Sequence, residues 1–218
     1  MKVHTYHEPI PALDDPPLLR LWARSWSLAG FEPVVLTRSD AERHPQFADL
    51  ARLRSYFTQN SPCSPAYQLA TIARWAAFGM VNEPYVLAAD WDVFNLNFRW
   101  QSEIEITHYE GPTTNLVAFG PARHNFVCPA CTYSSTRVAG RVFEHLLRVA
   151  ADGVPRGVCH DEDILSADAG PIRIVRVLEC PNRTDWHADP VRKPRLVHFS
   201  NGSTPSPRSV TVQAELDL

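Results

Sequence analysis

Tyr85-Val86-Leu87-Ala88-Ala89-Asp90-Trp91-Asp92-Val93 decides how this chain is read. An apolar run of strand length leads into two aspartates separated by one residue. In a strand, residues i and i+2 point to the same face. At a strand end, where the chain leaves the sheet, two carboxylates so placed can converge on one hard divalent cation such as Mg²⁺ or Mn²⁺. Two solvated turn aspartates would give the same tripeptide, so the segments on either side carry the argument.

Upstream, Ser64-Pro65 reads as a helix start, and the helix runs from Ala66 to Phe78 with Arg74 and Trp75 on it, ending at Gly79. At the N-terminus, residues 2–7 read as a first strand. Asp14-Asp15-Pro16-Pro17 caps a helix in which Leu18, Leu21, Trp22 and Ser25 follow helical spacing, and Gly30 stops it. Glu32 to Thr37 is a second strand. This β-α-β opening predicts an α/β fold with a central, mostly parallel sheet flanked by helices. In such sheets ligands bind beyond the carboxyl ends of the strands, where Asp90 and Asp92 lie. Further strands are predicted at Asn115–Gly120 and 172–178, a helix over Thr136–Asp152, and a short extended piece at Val197-His198-Phe199. Residues 1–203 are read as one Rossmann-like domain, and 204–218, with Pro205 and Pro207, as a tail that lies over the surface or frays.

The chain has 218 residues, enough for a well-buried core, and its 44% hydrophobic and 21% charged content argues against wholesale disorder. No apolar run approaches the ~20 residues that span a bilayer, and the N-terminus lacks the apolar core of a signal peptide, so a cytoplasmic location is expected. Five cysteines, only Cys128 and Cys131 close together, do not make a secreted disulfide framework. Cys128 and Cys131 with Cys159 and His160 would form a zinc site only by an unusual spacing; buried thiols in a loop are the simpler reading. Net charge is −3, but seven Arg/Lys against three acids fall between Arg173 and Arg208. That stretch is either a phosphate-facing surface or a solvated loop.

In this order the elements resemble the GT-A class of nucleotide-sugar glycosyltransferases, over residues 2 to 203: the β-α-β start, the helix with Arg74-Trp75, the strand ending in Asp90-Trp91-Asp92, the acidic run Asp161-Glu162-Asp163-Ile164-Leu165, and His198 late in the chain. The resemblance implies a GT-A-like domain, a nucleoside diphosphate sugar (UDP-linked) as donor, and a Mn²⁺ or Mg²⁺ ion held by Asp92, Asp90 and His198. Asp90 can ligate directly, act through water, or bind the ribose. It implies that Arg74 contacts the donor; a surface arginine or an internal salt bridge is the alternative. Thr5, Tyr6 and His7 after the first strand and Thr37 after the second would frame the nucleoside, with Tyr6 stacking on the base or packing beneath the first helix. The turn His198-Phe199-Ser200-Asn201-Gly202-Ser203 would offer backbone N–H groups, at Ser200 and Gly202, to the diphosphate.

Two patterns fit the acidic run. Asp161-x-Asp163 resembles the donor-sugar contact of glycogenin-like retaining enzymes, and Glu162-Asp163 the acid pair of many inverting ones. Asp163 belongs to both and is the first candidate acid/base or sugar-positioning carboxylate, with Asp161 second. The acceptor is left open among glycans, lipids, proteins and modified nucleic-acid bases. Two other functions compete. A nucleotidyltransferase would need a glycine-rich basic loop that His7-Glu8-Pro9-Ile10-Pro11 does not supply. A non-catalytic nucleotide- or carbohydrate-binding domain would keep the fold without turnover.

Overall fold

Alternation along one strand divides the core in two. Val86 and Ala88 join an apolar cluster with Tyr6, Leu116 and Ala118, whereas Leu87 and Ala89 join a second cluster with Val3, Val117 and Phe119. Both faces of the sheet are therefore buried, as expected of strands covered by helices on either side. The computed structural model describes residues 1–11, 14–54, 64–99, 115–119, 129–152, 161–167, 169–178, 180–181, 183–188, 194–199 and 207–216.

The chain opens β1 (Lys2–Tyr6), α1 (Pro16–Leu28), β2 (Glu32–Leu36), α2 (Arg38–Ala41), then a 3₁₀ turn at Phe47–Arg52. There follow α3 (Pro65–Gly79), β3 (Tyr85–Ala89), β4 (Val93–Asn95), β5 (Asn115–Phe119), β6 (Cys131–Ser135) and α4 (Thr136–Asp152). The last elements are α5 (Asp161–Ala167), β7 (Arg173–Leu178), α6 (Arg183–Ala188), β8 (Leu196–His198) and α7 (Arg208–Leu216). The main sheet has the order β2-β1-β3-β6-β5-β7. β1 pairs parallel to β2 and β3, and β5 parallel to β7; β6 alone runs against its neighbours β3 and β5. The expected α/β architecture with a mostly parallel sheet is what forms.

The helix starts have the predicted chemistry. The Asp15 side chain accepts from Leu18 N–H at 3.3 Å ahead of Pro16, and Ser64 Oγ accepts from Tyr67 N–H at 3.2 Å ahead of Pro65. Gly30 ends α1 with φ 87°, a conformation that favours glycine. On one face of the sheet α3 packs on α4, and the contact is close at a pair of glycines. A Cβ on Gly79 would stand 2.8 Å from Gly140 Cα.

Three local readings change. Cys131 does not sit in a loop: it begins β6, opposite Ala89, and is buried. The other members of the weighed zinc site, Cys128, Cys159 and His160, lie outside the described residues. Within the C-terminal segment, residues 208–216 are helical rather than frayed. They form α7, which packs against α1 with Val212 fully buried in the second core cluster. Its N-terminus is held by Asp15, whose Oδ2 accepts from Ser209 N–H at 2.9 Å while its Oδ1 caps α1. Finally, the basic stretch is partly consumed internally: Arg183 pairs with Glu215, and Arg208 with Asp92.

Candidate active site

β3 ends in a turn that aims both aspartates out of the sheet. Asp90 N–H donates to Ala130 O at 2.6 Å, and Val93 N–H closes the turn onto Asp90 O at 2.9 Å. The chain then enters β4, which pairs antiparallel with β8 so that Val93 faces His198. That register explains how a histidine more than a hundred residues later arrives beside Asp92. Phe199 N–H donates to Asp92 O at 2.8 Å, and His198 Nε2 lies 3.3 Å from Asp92 Oδ1.

One potential ligand atom from each of Asp90, Asp92 and His198 falls within 4.8 Å of the others. Two carboxylates and an imidazole form a donor set that Mn²⁺ accepts readily, and the oxygens also suit Mg²⁺. The three residues the sequence singled out as ligands are thus brought together, in a geometry that fits a divalent cation.

Behind the aspartates is a buried ion network. Arg74, on α3, donates from Nε and Nη2 to Asp161 Oδ2 at 3.0 and 2.6 Å, and its Nη1 donates to Asp90 Oδ1. Trp75 Nε1 donates to the same Asp161 oxygen at 2.6 Å. Asp161, first residue of α5, is almost wholly buried. Arg74 is buried too, and its guanidinium serves as an internal salt bridge between α3, the end of β3 and α5. The flanking acids Glu162 and Asp163 are half-buried.

The two central aspartates are pushed in opposite directions. Burial raises the Asp90 carboxyl to about 6, Arg74 opposing and the Asp92 charge adding to the rise. Burial would raise Asp92 as well, but His198 and Arg208 outweigh it and hold that carboxyl down at about 2. Glu162 is raised to about 7 by burial first and then by Asp161. Tyr67 of α3 is raised by burial and by the charges of Asp92 and Asp90.

The residues expected to frame a nucleoside separate into two kinds. Thr5 is fully buried within β1, and Tyr6 is a core residue whose hydroxyl donates to Glu8 at 2.7 Å. His7 packs edge-on against Trp91, ring centroids 5.3 Å apart, with Nε2 3.0 Å from Asp14 Oδ1. Thr37 is exposed and caps α2, its N–H donating to Asp40 Oδ2 at 2.9 Å. Ser200 and Gly202 lie outside the described residues.

No protein-family model matches the chain, and no curated protein matches it in sequence. Solved structures do. The galactosyltransferase LgtC in complex with donor and acceptor sugar analogues aligns at TM-score 0.57 and 12% identity, over 100% of this chain and 97% of that one. Mouse xyloside xylosyltransferase 1, in its apo form, aligns at TM-score 0.56 and 12% identity, over 94% and 99%. A glycosyltransferase involved in glycosylation of the major capsid of PBCV-1 aligns at TM-score 0.55 and 12% identity, over 100% and 98%. The chain has the GT-A-type glycosyltransferase fold. Within this GT-A frame, Asp90-x-Asp92 stands at the carboxyl end of the third strand, where the sequence placed it.

Two contributors escaped the sequence reading. Trp75 is a core residue of α3 whose indole N–H also holds Asp161. Arg208 was one of a run of basic residues, yet its Nη1 donates to Asp92 Oδ2 at 2.5 Å and its guanidinium lies 4.6 Å above the Trp91 ring.

Proposed function

We propose that this protein is a metal-dependent glycosyltransferase that moves a sugar from a nucleoside diphosphate sugar, UDP-linked, to a hydroxyl acceptor. The observation that carries the reading is the convergence of Asp90, Asp92 and His198 within 4.8 Å at the carboxyl end of β3 of a GT-A-type fold.

Asp92, Asp90 and His198 would hold the ion. A bound divalent cation would offset the negative charge that builds on the diphosphate as the sugar leaves. The protein's own residues do the rest. Arg74 fixes Asp90 from behind, and Asp161 with Trp75 fixes Arg74, so the carboxylate geometry is set before the donor arrives. Asp161 therefore contributes by position. Asp163, half-buried at the start of α5, is the first candidate carboxylate to meet the sugar or to take the proton of the acceptor hydroxyl. At the strand ends, the burial of Thr5 and Tyr6 leaves His7 and Thr37 to face the nucleoside. Backbone N–H groups at Ser200 and Gly202 serve the diphosphate.

Calorimetry with UDP and Mn²⁺ tests the donor half of this reading. UDP binding that needs Mn²⁺ and is lost in Asp92→Ala is expected; equal binding with and without the ion would contradict it. Binding without turnover of any sugar donor would leave a nucleotide-binding domain rather than a transferase.

A further inference from the structure

Arg208 is the first residue of a helix and is buried, with 4% of its surface exposed. Both facts are unfavourable by themselves. A cation at a helix N-terminus opposes the helix dipole, and taking a guanidinium out of water costs more than an average ion pair returns. Its contacts account for the position. Nη1 donates to Asp92 Oδ2 at 2.5 Å and also reaches Phe199 O at 3.3 Å, and the guanidinium lies over Trp91. Asp92 and Phe199 flank β4 and β8, the two strands that bring Asp92 to His198. One guanidinium thus ties together both ligand-bearing segments.

We propose that Arg208 is a positioning residue for the cation site, so that the C-terminal helix α7 completes that site. With Oδ2 of Asp92 taken by Arg208, Oδ1 is the oxygen turned toward His198 Nε2, 3.3 Å away. The cation then meets a carboxylate already rotated for it, held by one guanidinium nitrogen whose delocalised group is itself set by lying over the Trp91 ring. The inference rests on the cation reading above. It makes a prediction against simple charge counting, because removing a positive group next to a cation site should tighten binding by Coulomb's law alone.

The helix has other anchors: Ser209 N–H on Asp15, Val212 in the core, and Glu215 with Arg183 and His187. The Arg208 head group can therefore be changed with the helix still docked. The test is Mn²⁺ titration of the full-length chain, without nucleotide, followed by electron paramagnetic resonance for wild type, Arg208→Gln and Arg208→Lys. Hydrogen exchange over residues 209–216 reports whether α7 stays docked. Arg208→Gln should weaken Mn²⁺ binding about tenfold or more, with protection of α7 unchanged and Arg208→Lys in between. Binding as tight as wild type, or tighter, with α7 protected would overturn the assignment. If Arg208→Gln undocks the helix, Arg208→Lys decides: it keeps the charge and loses the guanidinium that lies over Trp91, so weaker Mn²⁺ binding supports the proposal and unchanged binding refutes it. Wild-type protein that takes up no Mn²⁺ would instead refute the cation reading itself, and the role of Arg208 with it.

Discussion

Arg74 places both Nε and Nη2 on a single carboxylate oxygen of Asp161, at 3.0 and 2.6 Å, across 87 residues of chain. The pair links α3 to α5 beneath the end of β3, and the third nitrogen of the guanidinium reaches Asp90. Removing one partner of a buried pair strands the other charge. Arg74→Ala should therefore destabilise the protein by about 3–5 kcal/mol, read as a lower urea midpoint with an unchanged slope. Arg74→Lys, which cannot serve two carboxylates in a fork, should recover only part of that loss. A change below about 1 kcal/mol in the alanine variant would mean that solvent reaches the pair.

Helix packing makes a second prediction that is independent of chemistry at the site. At Gly79 an added methyl would stand 2.8 Å from Gly140 Cα and 2.9 Å from Gly140 N, both backbone atoms that cannot turn aside. Gly79→Ala should cost roughly 1–3 kcal/mol by forcing α3 from α4, although alanine is the better helix former. Thermal unfolding checks it: a melting temperature equal to or above wild type would show that the two helices have room to separate.

Glu162 gives a pH dependence with a definite sign. Its carboxyl is raised from 4.5 to about 7 by burial and by Asp161. The folded protein therefore holds this proton more tightly than the unfolded chain does. Stability is lost as pH rises through that window and is level above it. Glu162→Gln cannot ionise, so its stability relative to wild type should grow between pH about 5 and about 8, by roughly 1–3 kcal/mol. Urea unfolding in EDTA at the two ends of the range measures the difference. A constant difference, or one that shrinks with pH, would place Glu162 in solvent.

Much of this arrangement is legible in the sequence because its signals are local. Asp15 before Pro16 and Ser64 before Pro65 mark helix starts by chemistry that acts within one turn, and the apolar run at Tyr85–Ala89 marks a strand buried on both faces. β6 was not legible: Cys131-Thr132-Tyr133-Ser134-Ser135 is wholly buried but rich in hydroxyls, so neither alternation nor an apolar run announces it. β4 is three residues long and leaves no periodicity to read. His198 could be joined to Asp92 only through a resemblance, since the physical cause is the β4–β8 register. Arg208 lies 116 residues from the aspartate it holds, and among its basic neighbours no local pattern distinguishes it. Long-range polar partners are chosen by topology, and topology is what a linear reading reaches last.

In the proposed function, Asp90, Asp92 and His198 hold a divalent cation that serves glycosyl transfer. Turnover of a panel of nucleotide sugars, followed as released nucleoside diphosphate, tests it most directly in three arms: Mn²⁺ present, EDTA present, and Mn²⁺ with Asp92→Ala. Release of UDP from at least one donor in the first arm, falling by 10²-fold or more (on the order expected when a transition-state charge loses its partner) in the other two, is the predicted result. Full turnover in EDTA or in Asp92→Ala would contradict it.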